Sequence, residues 1–447
     1  MQVVFLRSSR LVILFTIITL LQSSSGYCIE PSNTYLKILE KALIVSPQVK
    51  AVTASINVKK AELRSANLVP QAEIEFEAEE FGIDGSDFLD SEMTIYYSRE
   101  IEPKSLRSKK RIVAESSLKK ARLIYTNQLL LYIKEISKSY YEVVLKQMEL
   151  DLVRETEELA KEMLKVAKNR VSAGAAPGLE QERSEMEYDM ALIDVRRAEK
   201  ELYNGRVKLA SYLNISEDGL PPINENQLPP ISEHKCTENH CFTSNSTNFS
   251  IHKKDTSIQL TNNKHPLLMA SAESVEEARL STEIIHIESK PVYNTTFGFR
   301  HVGETADNSF IIGVAIPLGS SRRNQSKIEA AKWLVKEEEN NLADTKIRLT
   351  REIQQNILQE KTIRSEFNAI ENRILPAAER IFQSVKEGYL RGELKYTDLL
   401  LAKQSLVAAA KQRVTALSGL RLAILDLEIA YGGTREMKKI IEETLVK

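Results

Sequence analysis

The stretch QAEIEFEAEE at residues 71–80 alternates small or apolar side chains with glutamates. Its apolar positions are Ala72, Ile74, Phe76 and Ala78, and its acidic positions are Glu73, Glu75, Glu77 and Glu79. Successive side chains of a β-strand point to opposite faces of a sheet. This period of two therefore predicts a strand with one apolar face and one row of carboxylates.

The segments around this strand have the pattern of long helices. No glycine or proline occurs between Ser105 and Ala173, and a helix of about 70 residues would reach on the order of 100 Å. Apolar residues recur there at spacings of four and three, at Leu129, Ile133, Ile136, Tyr140, Val143 and then Leu150. This heptad-like spacing predicts a seam for packing helix against helix.

Five landmarks occur twice along the chain in the same order, at an offset of about 214–221 residues. They pair Pro47 with Pro266, Pro70 with Pro291, Pro103 with Pro317, Gly174 with Gly392, and Tyr212 with Tyr431. We infer a tandem duplication of about 217 residues, in which each unit runs helix, strand, strand, long helix, Gly-containing turn, helix. The long helix of the second unit has an apolar seam of its own, at Ile353, Ile357, Phe367, Ile370 and Ile374. Pro376 then interrupts that helix and is predicted to kink it.

The strands come as two hairpins. Residues 71–81 and 91–101 flank a loop rich in Gly and Asp, and residues 291–301 and 308–318 flank the sequence VGETAD. Four strands cannot close a barrel alone, because about eight are needed to enclose a filled interior. They must pack on helices or be completed by other chains.

The N-terminus has the pattern of a secretory signal peptide. Arg7 and Arg10 precede the apolar run at 11–21, and small polar residues follow up to a plausible cleavage point near Gly26. An uncleaved anchor and a lipid-modified Cys28 stay open as alternatives. A signal peptide predicts export of the protein. The net charge is −1 over 447 residues, and this balance gives no support for binding nucleic acid.

An irregular linker separates the two units. Two cysteines and two histidines lie within eight of its residues, at His234, Cys236, His240 and Cys241. Thiolates and imidazoles suit Zn²⁺ or Cu⁺, and in an oxidising compartment a Cys236–Cys241 disulfide is the alternative. No phosphate-binding loop, HExxH or GxSxG motif occurs, so neither a cofactor nor an enzyme activity is expected.

The whole pattern resembles the TolC-like outer-membrane factors, the exit ducts of tripartite efflux and type I secretion systems. The resemblance covers roughly residues 31–433. It is carried by the helix starts at Pro47 and Pro266, the strand-to-helix passages at Pro103 and 316–319, the stretch RILPAAERIFQSVKEGYLRGELKYTDLLLAKQSL (373–406) and the final AYGG (430–433).

The resemblance implies a mainly α fold with a β-barrel part, in which three chains form an α-helical tunnel under a twelve-stranded transmembrane barrel. Each protomer would contribute four strands. The implied location is the outer membrane, with the tunnel reaching into the periplasm. The implied partners are a periplasmic adaptor and an inner-membrane pump, of the resistance-nodulation-division class in our prediction. The predicted division is 1–26 signal peptide, 31–215 first repeat, 216–255 linker, 256–433 second repeat and 434–447 tail.

Two groups of site residues follow from this resemblance. In a transmembrane barrel strand the apolar residues face lipid and the polar residues face the lumen, so Glu73, Glu75, Glu77 and Glu79 are predicted to line the pore. Asp398, six residues after Gly392, aligns with an aspartate at the periplasmic aperture, and Glu180 takes its place in the first repeat. The next acidic position of the family is Leu401 here. As the alternative, Asp398 and Glu180 begin helices and interact with the helix dipoles.

Two questions stay open at the level of sequence. The chain can be an outer-membrane duct, or an exported coiled-coil scaffold or adhesin without a pore. If it is a duct, the glutamates and the His/Cys linker favour heavy-metal cations over drugs, solvents or secreted proteins. The glutamates can select cations or simply keep the lumen wet.

Overall fold

The computed structural model describes residues 33–79, 91–229, 265–288, 293–303, 305–316 and 320–446. The predicted signal peptide with Cys28 lies outside these residues. So does the His/Cys cluster at 234–241, with both of its alternatives, the metal site and the disulfide.

The order of elements follows the predicted duplication. The elements of the first unit are α1 (Asn33–Val45), α2 (Pro47–Ser65), β1 (Ala72–Glu79), β2 (Glu92–Ile101), α3 (Lys104–Ser172) and α4 (Gly178–Leu213). Two short 3-10 turns, Glu217–Gly219 and Glu225–Gln227, lie in the segment between the units. The remaining elements are α5 (Pro266–Glu288), β3 (Tyr293–Val302), β4 (Asp307–Ala315), α6 (Ser320–Ala369), a π-helical turn (Ile370–Ile374), α7 (Leu375–Leu390), α8 (Tyr396–Ala430) and α9 (Arg435–Val446).

The four strands form one antiparallel sheet in the order β1-β2-β3-β4. The two predicted hairpins are confirmed as pairs β1–β2 and β3–β4. The middle pair, β2–β3, joins the two repeats, with Ile95 opposite Phe299 and Tyr97 opposite Phe297. The prediction of a mainly helical chain with four strands is confirmed.

The largest core lies where α1, the middle of α3, the end of α4 and the last part of α8 pack together. The predicted heptad seam supplies its centre, because Ile133, Ile136, Tyr140 and Val143 are completely buried. Residues of the inter-repeat segment complete it, since Leu220, Ile223 and Leu228 are buried against the same cluster. The segment after α4 is therefore docked on the core up to Leu228.

The second seam differs from its prediction at one end. Ile353 and Ile370 are buried, but Ile374 is 46% exposed. The cause is the π-helical turn Ile370–Ile374, which adds a residue to one turn and so rotates the following side chains off the seam. A kink is predicted at Pro376, and the structure has a π-helical turn just before this proline. Helix α7 follows this turn directly.

No helix in the described part of the chain combines the length and the apolar character needed to cross a membrane.

His265 joins the last turn of α8 to the start of α5. Its Nδ1 accepts a hydrogen bond from the Leu267 backbone N–H at 3.2 Å, and its ring also hydrogen-bonds to the backbone of Ile429. The neighbouring Gly432 has φ +86, and a Cβ there would lie 3.1 Å from Pro266 Cδ. This junction is therefore tightly packed around an imidazole.

We expect this imidazole to make the stability of the chain depend on pH. Burial lowers the pKa of His265 below its ordinary value of 6.5, so below about pH 6.5 the unfolded chain binds a proton that the folded chain does not. The free energy of unfolding should therefore fall as the pH drops through this range. His265→Asn keeps an acceptor for the Leu267 N–H and should remove that dependence, as measured by urea unfolding at about pH 7.5 and about pH 5.5.

The difference between the two chains is the quantity to compare. Burial raises the pKa of Glu428 to about 7, and this group acts with the opposite sign, because its folded form binds more protons than the unfolded form. Glu428 is present in both chains, so its contribution cancels in the difference. An equal pH response of the wild type and His265→Asn would contradict the prediction.

Candidate functional site

One face of the sheet is apolar across all four strands. The register places Ile74 opposite Tyr97 and Phe76 opposite Ile95, and continues through Phe297 and Phe299 to Ile312 and Phe310. These side chains are solvent-exposed, with Ile74 at 78% and Phe310 at 85%. A contiguous apolar surface of this kind marks a contact with another protein or with a membrane.

The opposite face is polar, and the four glutamates of β1 lie on it together. Their cross-strand neighbours on β2 are Ser98 for Glu73, Tyr96 for Glu75, Thr94 for Glu77 and Glu92 for Glu79. Further polar residues follow on β3 and β4: Asn294, Thr296, Arg300, Asp307 and Ser309. The predicted row of carboxylates is therefore part of a polar surface that extends over the sheet.

Arg300 places a positive charge among these carboxylates. Its guanidinium forms an ion pair with Glu92 and donates hydrogen bonds to the Thr94 hydroxyl at 3.2 Å and the Tyr96 hydroxyl at 3.5 Å. The carboxylates of β1 form no ion pair within the described residues. The positive charge is therefore concentrated at the Glu92 end of the face, and Glu73 and Glu75 at the other end are not neutralised by it.

Gly298 makes room for the ring of Tyr96 on this polar face. A Cβ at position 298 would lie 2.9 Å from Tyr96 Cδ1 and 3.3 Å from Ile311 Cβ. Glu75, Tyr96 and Gly298 share one cross-strand row, so the missing side chain at 298 leaves space for the ring next to the carboxylate row.

At the other end of the molecule, two matched turns end the long helices. After α3 the chain turns at Gly174 with φ +71, and after α7 it turns at Gly392 with φ +79. In each turn an N–H bonds back five residues, from Ala175 to Arg170 at 2.8 Å and from Glu393 to Gly388 at 2.9 Å. This is the Schellman arrangement, which needs a left-handed residue after the helix and explains both glycines.

A tyrosine at this end connects the two repeats. The Tyr389 hydroxyl of α7 donates a hydrogen bond to the Glu180 carboxylate of α4. Arg170 of α3 donates from Nη1 to the Tyr389 carbonyl at 2.7 Å, and its guanidinium carbon lies 4.5 Å from the centre of the tyrosine ring. Burial raises the pKa of Tyr389, so the phenol stays protonated and remains the donor. We call Arg170, Glu180 and Tyr389 the tip lock.

Two ion pairs continue the connection between the repeats above the tip lock. Lys386 of α7 contacts Glu162 of α3 at 2.8 Å, and Lys403 of α8 contacts Glu187 of α4 at 3.4 Å. The Lys403 side chain is only 6% exposed. Removing the partner of a buried ammonium leaves an unpaired charge and strongly destabilises the folded protein. This pair therefore holds α8 against α4.

The two predicted aperture residues have different surroundings. Asp398 accepts a hydrogen bond from the Lys395 backbone N–H at 3.0 Å in a capping box, so it caps α8, as the helix-dipole alternative expected. Glu180 also lies in the first turn of its helix, and in addition it binds Tyr389. Leu401 is 62% exposed. Asp398 and Glu180 both lie at the tip, each in contact with its own set of neighbours.

Several residues of these sites were not singled out by the sequence patterns. They are Arg170 and Tyr389 at the tip, and Glu92, Tyr96 and Arg300 on the sheet. Arg170 and Tyr389 lie four and three residues before the matched glycines, and their closeness to these turns is a signal from which they could have been found. Within the described residues, no group of three or more His, Cys, Asp or Glu side chains is placed to hold a metal ion.

Solved outer-membrane channels share this fold. The outer membrane protein VceC from Vibrio cholerae matches with a TM-score of 0.68 at 15% identity, over 89% of this chain and 96% of that one. The CmeC outer membrane channel of Campylobacter jejuni matches with a TM-score of 0.67 at 19% identity, over 92% and 89% of the two chains. These likenesses establish the fold.

The sequence has relatives of the same kind. Residues 258–433 match the family model described as "Outer membrane efflux protein". The cobalt-zinc-cadmium resistance protein CzcC of Cupriavidus metallidurans is 26% identical over 144 residues, which are 32% of this chain. The match spans about a third of the length of that relative, 34%. The second half of the chain is therefore similar in sequence to outer membrane efflux proteins.

Proposed function

We propose that this protein is the outer-membrane exit duct of a tripartite efflux system and that it conducts its cargo passively. The observation that carries the proposal is the two-faced sheet, with exposed apolar side chains on one face and carboxylates on the other. In a transmembrane barrel the apolar face contacts lipid and the polar face lines a water-filled lumen. The fold shared with solved outer-membrane channels supports the same function.

The duct is a homotrimer in this proposal. Strands β1 and β4 are the two edges of the sheet, and each pairs on one side only within the described chain. Unpaired edges are avoided in membranes and in water, because their backbone groups lack partners. Three copies joined edge to edge close a twelve-stranded barrel and leave no such edge. The long helices α3, α4, α6, α7 and α8 then form the tunnel that extends into the periplasm.

The cargo in this proposal is a heavy-metal cation. The similarity to a cobalt-zinc-cadmium resistance protein supports it, and so do the carboxylates of β1, since rings of acidic side chains favour cations in a channel. The partners are a periplasmic adaptor and an inner-membrane pump of the resistance-nodulation-division class. They supply the energy, and the duct performs no catalysis.

Cell fractionation tests the duct. We expect the protein in the outer-membrane fraction as a trimer whose mobility on a gel changes on heating, and a soluble periplasmic species would instead support the scaffold or adhesin. Deletion of the gene, followed by growth on Co²⁺, Zn²⁺ and Cd²⁺, tests the cargo. Unchanged tolerance to all three metals would contradict the metal proposal and leave the duct standing.

The tip lock is expected to keep the periplasmic end of the duct closed. Tyr389→Phe removes the hydrogen bond to Glu180 but keeps the ring under Arg170, and a hydrogen bond to a charged group contributes about 1.5–3 kcal/mol. The open fraction in planar lipid bilayers should therefore rise about tenfold. Tyr396→Phe is the matched control, since that ring packs on Tyr389 at 6.1 Å. An equal effect of the two variants would contradict the lock.

A further inference from the structure

The second repeat has a weak point in its long helix that the first repeat lacks. Helix α3 runs from Lys104 to Ser172 as one α-helix of 69 residues. Its counterpart is divided by the π-helical turn Ile370–Ile374 between α6 and α7. A π turn inside a long helix interrupts the regular hydrogen-bond pattern and occurs frequently at functional sites. The difference between the repeats therefore points to the second helical hairpin as the one that moves.

Backbone hydrogen bonding is depleted at this point. Pro376 has no N–H and so cannot bond back to the preceding turn. The Leu375 N–H reaches back five residues to the Ile370 carbonyl, and the Asn372 side chain donates to the Asn368 carbonyl at 3.0 Å. A helix held there by a side-chain bond bends at a lower cost in free energy than a regular α-helix.

Arg413 of α8 binds this turn from the other arm of the hairpin. Its Nε and Nη2 contact the two carboxylate oxygens of Glu371 at 2.6 and 3.4 Å. Nη2 also donates to the Glu225 carboxylate at 3.1 Å. Glu225 belongs to the inter-repeat segment, which is anchored nearby through Leu228 in the core. One guanidinium therefore connects the weak turn to a segment that is docked on the rigid part of the protomer.

We propose that the π-helical turn Ile370–Ile374 is the hinge on which the lower part of the second hairpin moves, and that Arg413 clamps this hinge to the inter-repeat segment through Glu225. The moving part is α7 with the first half of α8, and α7 alone reaches about 24 Å from the hinge to the tip. A small bend at the hinge then separates Tyr389 from Glu180. The inference rests on the proposed function, because it supplies the motion that opens the duct.

Two variants of the full-length protein change the hinge in opposite directions. Arg413→Gln releases the clamp. Deletion of Asn372 together with Pro376→Ala stiffens the helix, because a π turn contains one residue more than an α turn and removal of the exposed Asn372 restores a continuous α-helix in the same register. The stiffened helix is built into Tyr389→Phe, the variant with the open tip lock. The matched control for the clamp is Arg154→Gln, which breaks an Arg–Glu pair of 2.9 Å within the first hairpin.

The readout is the open fraction of trimers in planar lipid bilayers. We expect Arg413→Gln to raise it about fivefold or more and Arg154→Gln to leave it within about twofold of the wild type. The stiffened helix should abolish the gain caused by Tyr389→Phe. If the stiffened chain does not assemble, the comparison of Arg413→Gln with Arg154→Gln tests the proposal. Equal open fractions for these two variants would overturn the clamp and the hinge.

Different results would contradict the hinge and the proposed function. If Tyr389→Phe conducts more than the wild type and stiffening leaves that gain unchanged, the hinge is overturned and the duct stands. If no trimer of any variant forms a pore, the proposed function is overturned and the hinge with it.

Discussion

Replacing Glu73, Glu75 and Glu77 together by glutamine is expected to lower the ratio of cation to anion permeability of the duct about tenfold. A unit charge acts on an ion 4 Å away with about 1 kcal/mol in bulk water, and the three positions form rings of carboxylates in a trimer. Arg300 lies in the cross-strand row of Glu77 but is paired with Glu92, so it leaves the rings of Glu73 and Glu75 without a neutralising charge. The measurement is the reversal potential in a salt gradient across a planar bilayer.

The control for this prediction keeps the charge and shortens the side chain. Replacing the same three residues by aspartate should leave the permeability ratio close to that of the wild type, since the rings stay negative. An unchanged reversal potential in the glutamine variant would show that the carboxylates only keep the lumen hydrated. A loss of selectivity in both variants would attribute it to the shape of the strand.

Arginine in place of Phe76 is expected to prevent insertion of the sheet, whereas arginine in place of the adjacent Glu75 is expected to be tolerated. Phe76 is 62% exposed on the apolar face, and Glu75 lies on the opposite face beside Tyr96. An arginine on the lipid face costs about 2–4 kcal/mol at the middle of the bilayer and a lumen arginine costs little. The yield of heat-resistant trimer folded into lipid vesicles measures the difference.

The arginine variants at Phe76 and Glu75 are a matched pair, because they place the same side chain at neighbouring positions of one strand. A loss of trimer in both variants would indicate that β1 tolerates no arginine for reasons other than lipid. Normal trimer from Phe76→Arg would contradict the assignment of the apolar face to lipid, and it would favour the soluble scaffold.

The strands and their two faces could be predicted because alternation along one strand is a local property. The period of two in 71–80 placed Ile74 and Phe76 on one face and the glutamates on the other, and the structure has the same division. Both hairpins could be predicted for the same reason, since the two strands of each hairpin lie close together in the sequence. The pairing of β2 with β3 joins residues such as Ile101 and Tyr293, and no local pattern specifies a contact over that separation.

The tip shows the same limit. The matched glycines Gly174 and Gly392 could be located, because a left-handed turn after a helix favours glycine. The contact between Glu180 and Tyr389 joins residues 209 positions apart, and it depends on how two helical hairpins pack. Asp398 is predicted at the aperture from its place in the aligned motif, and the structure adds that its carboxylate caps its own helix.

The sequence by itself determined the helices, the four strands, their apolar and acidic faces and the internal duplication, because each of these depends on periodicity and turn chemistry within a few residues. Only the tertiary structure decided that Arg300 pairs with Glu92, that Tyr389 joins Glu180 and that Arg413 binds the π-helical turn. Each of these contacts joins separate elements of the chain. Their geometry is set by the packing of whole helices and strands, which the spacing of residues along the sequence does not contain.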